Sequence, residues 1–299
     1  MRKKKIHLFD AANVLFMLVL MVIMLYPMYF TVIASLSEPA AVAKGEITLL
    51  PKNFTLEAYQ YVLKYNKIWV GYANTIINTV LGTLFSLFLT IPAAYVLSKK
   101  YLPRRKIFTL FFMICMYFSG GMVPTYLLIK QLGLLDTRAV LILLGGLSIY
   151  NLIVTRSFFE NSIPESLYEA AHIDGAGEIK SFFSIALPLA KPILAVMILY
   201  YAVSRWNNYF DALLYIKDEA LLPLQNVLRS VLIVNQQDLT ADMINQLSAE
   251  EMMDFAKRSQ IAYTMRYAVV FIASAPLLAI YPFIQKYFVK GVMIGAVKE

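Results

Sequence analysis

The sequence holds one cysteine, Cys115, and two histidines, His7 and His172. A single thiol closes no internal disulfide, and neither a cysteine metal site nor a histidine-rich metal or catalytic centre can be built from this inventory. Cys115 sits in an apolar run and reads as a small buried hydrophobe. Charge is equally scarce, at 15% of the 299 residues, against 60% hydrophobic and 14% aromatic. A water-soluble domain is about a quarter charged, so the remaining apolar surface calls for lipid as the solvent. The sequence also lacks a G-x-x-x-x-G-K-[ST] phosphate loop and any polar stretch long enough for a nucleotide-binding domain. No nucleophile elbow or paired intramembrane carboxylate supports a membrane-embedded enzyme.

What is present is a set of long apolar runs. A hydrocarbon core about 30 Å thick needs about 20 apolar residues, and six stretches meet that length: 11–36, 70–98, 107–129, 139–158, 190–213 and 263–288. The expected fold class is therefore an all-α polytopic membrane protein, one transmembrane domain over residues 1–299. Gly82, Pro92, Pro124, Gly145, Gly146, Pro276 and Pro282 fall inside these runs, which predicts kinked, closely packed helices. "MRKKK" followed by an apolar run resembles a secretory signal, but the run exceeds the ~7–15 residues of a signal core and five more spans follow, so an uncleaved first helix is expected.

The net charge of +8 is a topology signal. With both termini inside, Arg2 to Lys5, the Lys99 to Lys106 cluster, Arg156, Lys180, Lys191, Lys286, Lys290 and Lys298 all face the cytoplasm, while the outer segments are close to neutral. This removes the main argument for nucleic acid as a partner. Outside lie two long segments, 37–69 and 214–262. Thr55 is placed to cap a short helix with Glu57 in its first turn, and Ser248 with Glu251 has capping-box spacing.

On the inside, residues 159–189 contain "EAAHIDGAGEIKSFFSIALP" from 169 to 188. Ser162 and Glu165 have capping-box spacing at the start of a helix, and Asp174 with Gly175 stops it. Gly177 opens a second helix whose Ile179, Phe182, Phe183 and Leu187 predict one apolar face. Pro188 and Pro192 then start the fifth span. Ala170 and Ala171 offer a low surface for another backbone, with Glu169 and Asp174 at its edges. The bland alternative is an elbow that only covers the bundle.

Glu169-Ala170-Ala171, then Gly175, then Ile185-x-Leu187-Pro188 resembles, without a gap, the EAA motif of the membrane subunits of bacterial ABC importers. "RWNNYFDALLYI" (205–216) and the tail "YPFIQKYFVKGVMIGAVKE" (281–299) are similar to the maltose-transporter-like carbohydrate permeases, and to their branch for plant-polysaccharide or uronate-rich oligosaccharides. The resemblance implies a type I importer permease fold in the bacterial plasma membrane. It implies a second permease subunit, usually a heterodimer, two ATPase subunits carrying ATP and magnesium, and an extracytoplasmic sugar-binding protein. It further implies ATPase coupling through Glu169, Ala170, Ala171, Asp174, Gly175, Ile185, Leu187 and Pro188. Residues 235–260 would reach the binding protein, and Gly291 to Glu299 would meet the ATPases.

The fifth span carries an unusual polar patch. Arg205 lies roughly 21 Å of helix rise beyond Lys191, and an intramembrane charge is a functional candidate with a partner. Asn208 and Tyr209 stand at i+3 and i+4 from it, Trp206 adjoins it, and Asn207 and Asp211 form an i,i+4 pair. The patch would either line the translocation path or lock helices together. An ion-coupled secondary transporter of a small polar solute is the alternative function, although neither an internal repeat nor several midplane charges support it.

Overall fold

The computed structural model describes residues 8–234, 260, 261, 264–279 and 282. The regular structure is helical, with no strand among the described residues. The chain divides into two compact units, Met1–Trp69 with Val227–Pro276, and Val70–Asn226 with Leu277–Glu299.

The first unit starts with α1 (Leu8–Ser35), whose outer surface is apolar almost throughout, from Phe9 to Tyr29. Only its last turn is buried, where Ile33 and Ala34 meet Ile47 and Phe30 packs edge-on against Tyr267 at 5.8 Å. The following segment folds back compactly: α2 (Pro39–Ala43) leads into a loop in which the Lys52 amide donates to Ser37 Oγ and the Thr55 amide to the Leu36 carbonyl. α3 (Glu57–Lys64) begins one residue after Leu56, and the Thr55 hydroxyl accepts from the Glu57 amide at 3.2 Å. Thr55 thus serves the first turn as expected, one position before the cap.

The second unit contains most of α4 (Asn66–Ser98), a continuous helix despite Gly82 and Pro92. α5 (Arg105–Tyr117) and α6 (Met122–Gln131) meet at 109°, so the run 107–129 is a broken element and not the single straight span expected from its hydropathy. The break falls at Phe118 to Gly121, where Gly121 takes φ +85°, a conformation open to glycine. Pro124 lies harmlessly in the first turn of α6, where no intrahelical amide is needed. The run 139–158 is likewise broken into α7 (Arg138–Leu143) and α8 (Ile149–Ser162) around Gly145, at φ +67°. Cys115 is exposed rather than buried, on a helix with no buried residue.

α9 (Glu165–Ile173) and α10 (Glu178–Ser181) follow, then a π-helical turn (Phe182–Ala186), α11 (Leu187–Leu189) and α12 (Lys191–Trp206). The Glu178–Leu189 arm meets α12 at 79°. α13 (Phe210–Tyr215) comes after a turn, so the expected span 190–213 ends as a helix at Trp206. α14 (Leu224–Val234) and α15 (Thr264–Ala279) complete the described helices. α1 from Phe9 and α4 are each long and apolar enough to cross a membrane, and the two bent pairs raise that number to four. The Ser248–Glu251 capping box, most of 235–260, the tail from Gly291 and most of the last run beyond Ala279 lie outside the described residues.

A core of Ile91, Ala94, Leu152, Phe159, Ala186 and Met197 joins α4, α8, the π turn and α12. Removing such area from water or lipid-accessible space packs these helices closely, and small residues at Ala94, Ala186 and Ala190 let the backbones approach.

Candidate functional site

The elbow at 163–190 is built by local rules. Ser162 is the last residue of α8, and α9 is entered through Pro164, whose φ −58° and ψ 136° suit an extended entry; no side chain caps it. The predicted Ser162–Glu165 box is therefore not formed, because proline fixes the backbone one residue before the helix. Glu165 is instead drawn to Lys100, 2.5 Å away.

The helix stop is as expected. The Ala176 amide reaches back to the Ala171 carbonyl at 2.8 Å and the Gly175 amide to His172 at 3.0 Å, with Gly175 at φ +76°. This is a Schellman-type ending, which requires a left-handed residue. Nothing lies within 4 Å of a Cβ placed on Gly175, so its constraint is conformational and not steric. Glu169, Ala170, His172, Ile173 and Asp174 are exposed, and Ile173 is 86% exposed. Ala171 is buried, which corrects the expectation that both alanines form the outer surface.

Past Gly177 the predicted single apolar face is split. The Leu187 amide bonds the Phe182 carbonyl five residues back, so the turn is wider than α. Pro188 supplies no amide, and its ring would crowd the carbonyl four residues before it in an ordinary helix; the wider turn removes that conflict. Phe182 turns inward to Tyr95, with ring centroids 5.0 Å apart, whereas Ile179 and Phe183 face outward at 77% and 60% exposure. Ile185 and Leu187 are half-buried and Pro188 is exposed.

A cluster not anticipated from the sequence ties the elbow to the end of α4. Lys99 Nζ sits 3.1 Å from the Tyr168 ring centroid and 4.4 Å from that of Tyr95, a cation–π sandwich. Tyr95 donates to Glu178 Oε2 at 3.2 Å. Burial lowers the Lys99 ammonium pKa, against the pull of Glu178 and Glu165, and burial followed by the Glu178 charge pushes the Tyr168 phenol up to about 12. The signal was present as "SKKY" after the second run, where Tyr95 stands four residues before Lys99, but the second ring, Tyr168, is far away in sequence. Nearby, Arg105 and Arg156 both pair with Glu160, joining α5 to α8.

The polar patch of the fifth run is dispersed. Arg205 is buried and donates to the carbonyls of Leu141 and Leu144 at 2.7 Å and of Ile142 at 3.1 Å, the free carbonyls at the end of α7. It does not pair with Asn208 or Tyr209, because the helix ends at Trp206 and the i+3, i+4 register is lost. The Asn207–Asp211 pair is absent for the same reason: Asn207 caps back to Val203, and Asp211 pairs with Asn208 at 2.5 Å. Trp206 is buried beside Tyr72, and Tyr209 is exposed. Of the six patch residues, Arg205 and Asn208 line a small cleft with Thr75, Asn78, Leu141 and Pro223.

Opposite them α4 carries a buried polar stripe, Asn74, Thr75, Asn78, Thr83, Ser86 and Thr90. Arg138 donates to Asn74 at 2.7 Å, the Leu224 amide to Thr75 at 2.8 Å, and Thr90 shares a 2.6 Å bond with Tyr201. The three- and four-residue recurrence of these residues inside an apolar run was the available signal.

Residues 68–294 match the family described as "Binding-protein-dependent transport system inner membrane component". The chain belongs to this family. It is 42% identical over 292 residues to Protein LplC of Bacillus subtilis (strain 168), covering 98% of this chain and 95% of that one. It is 38% identical over 294 residues to the polygalacturonan/rhamnogalacturonan transport system permease protein YtcP of the same organism, covering 98% and 99%. Among solved structures, a chain of a bacterial ABC transporter involved in the import of the acidic polysaccharide alginate aligns with TM-score 0.82 and 33% identity, over 96% of this chain and 99% of that one. This protein is thus a multi-pass inner-membrane permease subunit of an ABC importer with the ABC-permease fold, as the EAA resemblance implied. Family membership displaces the ion-coupled alternative.

Proposed function

We propose that this permease imports a carbohydrate, an oligosaccharide delivered by an extracytoplasmic binding protein, and that the exposed elbow Glu169 to Gly175 receives the work of ATP hydrolysis from separate ATPase subunits that hold the ATP and magnesium. The observation that carries this reading is the projection of Ala170, His172, Ile173 and Asp174 from a helix whose stop is fixed by Gly175. Both termini lie in the cytoplasm, this chain catalyses no reaction itself, and a second, different permease completes the pathway.

The substrate class is an acidic, uronate-containing oligosaccharide. Among the described residues, the hydrogen bonds of Arg138 and Arg205 go to neutral oxygens, of Asn74, Asn78, Ser86 and backbone carbonyls, and Asp211 is the carboxylate whose charge reaches Arg205. Neutral acceptors leave the Arg138 guanidinium charge in place, and two cations against one carboxylate make this region favour an anion. The names of YtcP and of the alginate importer accord with this reading. Asn78 Nδ2, buried without a partner among the described residues, and Asn208 are the groups for a sugar oxygen, whereas Arg205 locks α7 to α12.

The test is the ATPase rate of the complex purified from its native membrane and reconstituted with its binding protein. Stimulation by oligogalacturonide and not by a neutral maltooligosaccharide is the expected result. Stimulation by the neutral sugar alone overturns the acidic class, and stimulation by neither overturns the carbohydrate reading.

A further inference from the structure

The fifth helical run follows the elbow directly in the chain, so movement of the elbow passes into it by covalent connection. The side chains show a second connection. Both limbs of the elbow are held by the last turn of α4 and the residues after it. On the first limb, Lys100 pairs with Glu165 at 2.5 Å and Lys99 lies over the Tyr168 ring. On the second limb, Tyr95 donates to Glu178 and packs against Phe182 with ring centroids 5.0 Å apart.

Lys99 is the shared member: its ammonium lies within cation–π range of both Tyr95 and Tyr168, and the residue is 9% exposed. An exposed ion pair such as Lys100–Glu165 would by itself hold little. A buried cation between two rings, with the Glu178 carboxylate at the edge of one of them, is a different case, because displacing either limb uncovers the charge or breaks the stack.

We infer that Lys99, Tyr168 and Glu178 are positioning residues that make the end of α4 a second recipient of the elbow's movement, so that ATP-driven displacement of α9 and α10 shifts α4 together with α12. α4 carries the polar stripe and the Thr90–Tyr201 bond to α12, so the stripe and the helix bonded to it move in one step. This rests on the proposed docking of the ATPases at the elbow.

Tyr168 offers an internal control. Its hydroxyl is buried with no hydrogen-bond partner among the described residues, so the ring and not the hydroxyl serves Lys99. The experiment measures solute imported per ATP hydrolysed in the reconstituted native complex, for Lys99→Met, Lys99→Arg, Tyr168→Leu and Tyr168→Phe, alongside crosslinking of an Ala170→Cys elbow to the ATPase. Lys99→Met and Tyr168→Leu are expected to lower the ratio about fivefold or more, with Lys99→Arg and Tyr168→Phe restoring most of it. An unchanged ratio in Tyr168→Leu, or an equal loss in Tyr168→Phe, overturns the inference; if Lys99→Met does not accumulate, the Tyr168 pair decides alone. Absence of the Ala170 crosslink in the otherwise native chain instead defeats the docking reading, whereas crosslinking with an unchanged ratio defeats only the role of α4.

Discussion

A Cβ added to Gly82 would stand 2.9 Å from Arg205 Nε and 3.2 Å from its Cδ. The arginine has little freedom to retreat, because its two terminal nitrogens hold three carbonyls at the end of α7. The glycine in α4 and the arginine in α12 are therefore one fitting.

Gly82→Ala is expected to cost about 1–3 kcal/mol through this overpacking, and Gly82→Leu to prevent a stable fold. Arg205→Met, which leaves the α7 carbonyls without a donor, should cost a comparable amount. Thermal denaturation of the detergent-solubilised complex reads both, and the double variant should lose less than the sum because the two residues touch. Strict additivity would show that the contact carries no energy.

Gly175 and Gly177 make a matched pair. At φ +76° a side chain is strained, so Gly175→Ala should cost about 1–2 kcal/mol locally and weaken ATPase coupling. Gly177 is extended, at φ −71° and ψ 171°, in the cap position of α10, where serine is preferred, so Gly177→Ser should leave ATP-driven uptake near the native level. Equal loss in both would show that the bend does not depend on the left-handed residue.

Ala170 and Ala171 separate interface from core. Ala170→Arg is exposed and should leave insertion and melting temperature intact while releasing the ATPase subunits during purification. Ala171 is buried, so Ala171→Arg should lower the yield and stability of the permease itself, since an unpaired charge is forced into packed space. Co-purification and thermal melting, measured on the same preparations, tell the two apart.

Asp136, held at φ +58°, accepts the amides of Lys217 and Asp218 at 2.8 Å each. The Asp218 amide, then that of Lys217, hold its carboxyl below the ordinary 3.8. A depressed carboxylate contributes fully above its unfolded value and loses that contribution as pH falls through the lower folded value. Exchange protection of the Lys217 and Asp218 amides, corrected for intrinsic rates, should be constant from neutral pH down to about 4 and fall below it. In Asp136→Asn the protection should be weaker and independent of pH in that window.

The bend of the elbow could be read in advance because its marks are local, a left-handed stop at Gly175 and an amide-free position at Pro188, whereas the burial of Ala171 and the split apolar face depend on what packs against them. The elbow's attachment to α4 could not be read either, since Lys99 and Tyr168 meet only after folding, and a lysine near a run of apolar residues counts equally well as an orientation charge. Arg205 was conspicuous, but its acceptors are main-chain carbonyls, which leave no mark in the sequence. The broken runs were hidden for a related reason. A hydropathy window averages across Gly121 and Gly145, although each reverses the local path of the chain.

The stripe on α4 has a further consequence. Thr79 and Thr83 Oγ and Asn78 Nδ2 are buried with no protein hydrogen-bond partner among the described residues. One side of this long helix can therefore receive a hydrated solute without first breaking a protein hydrogen bond at these three groups.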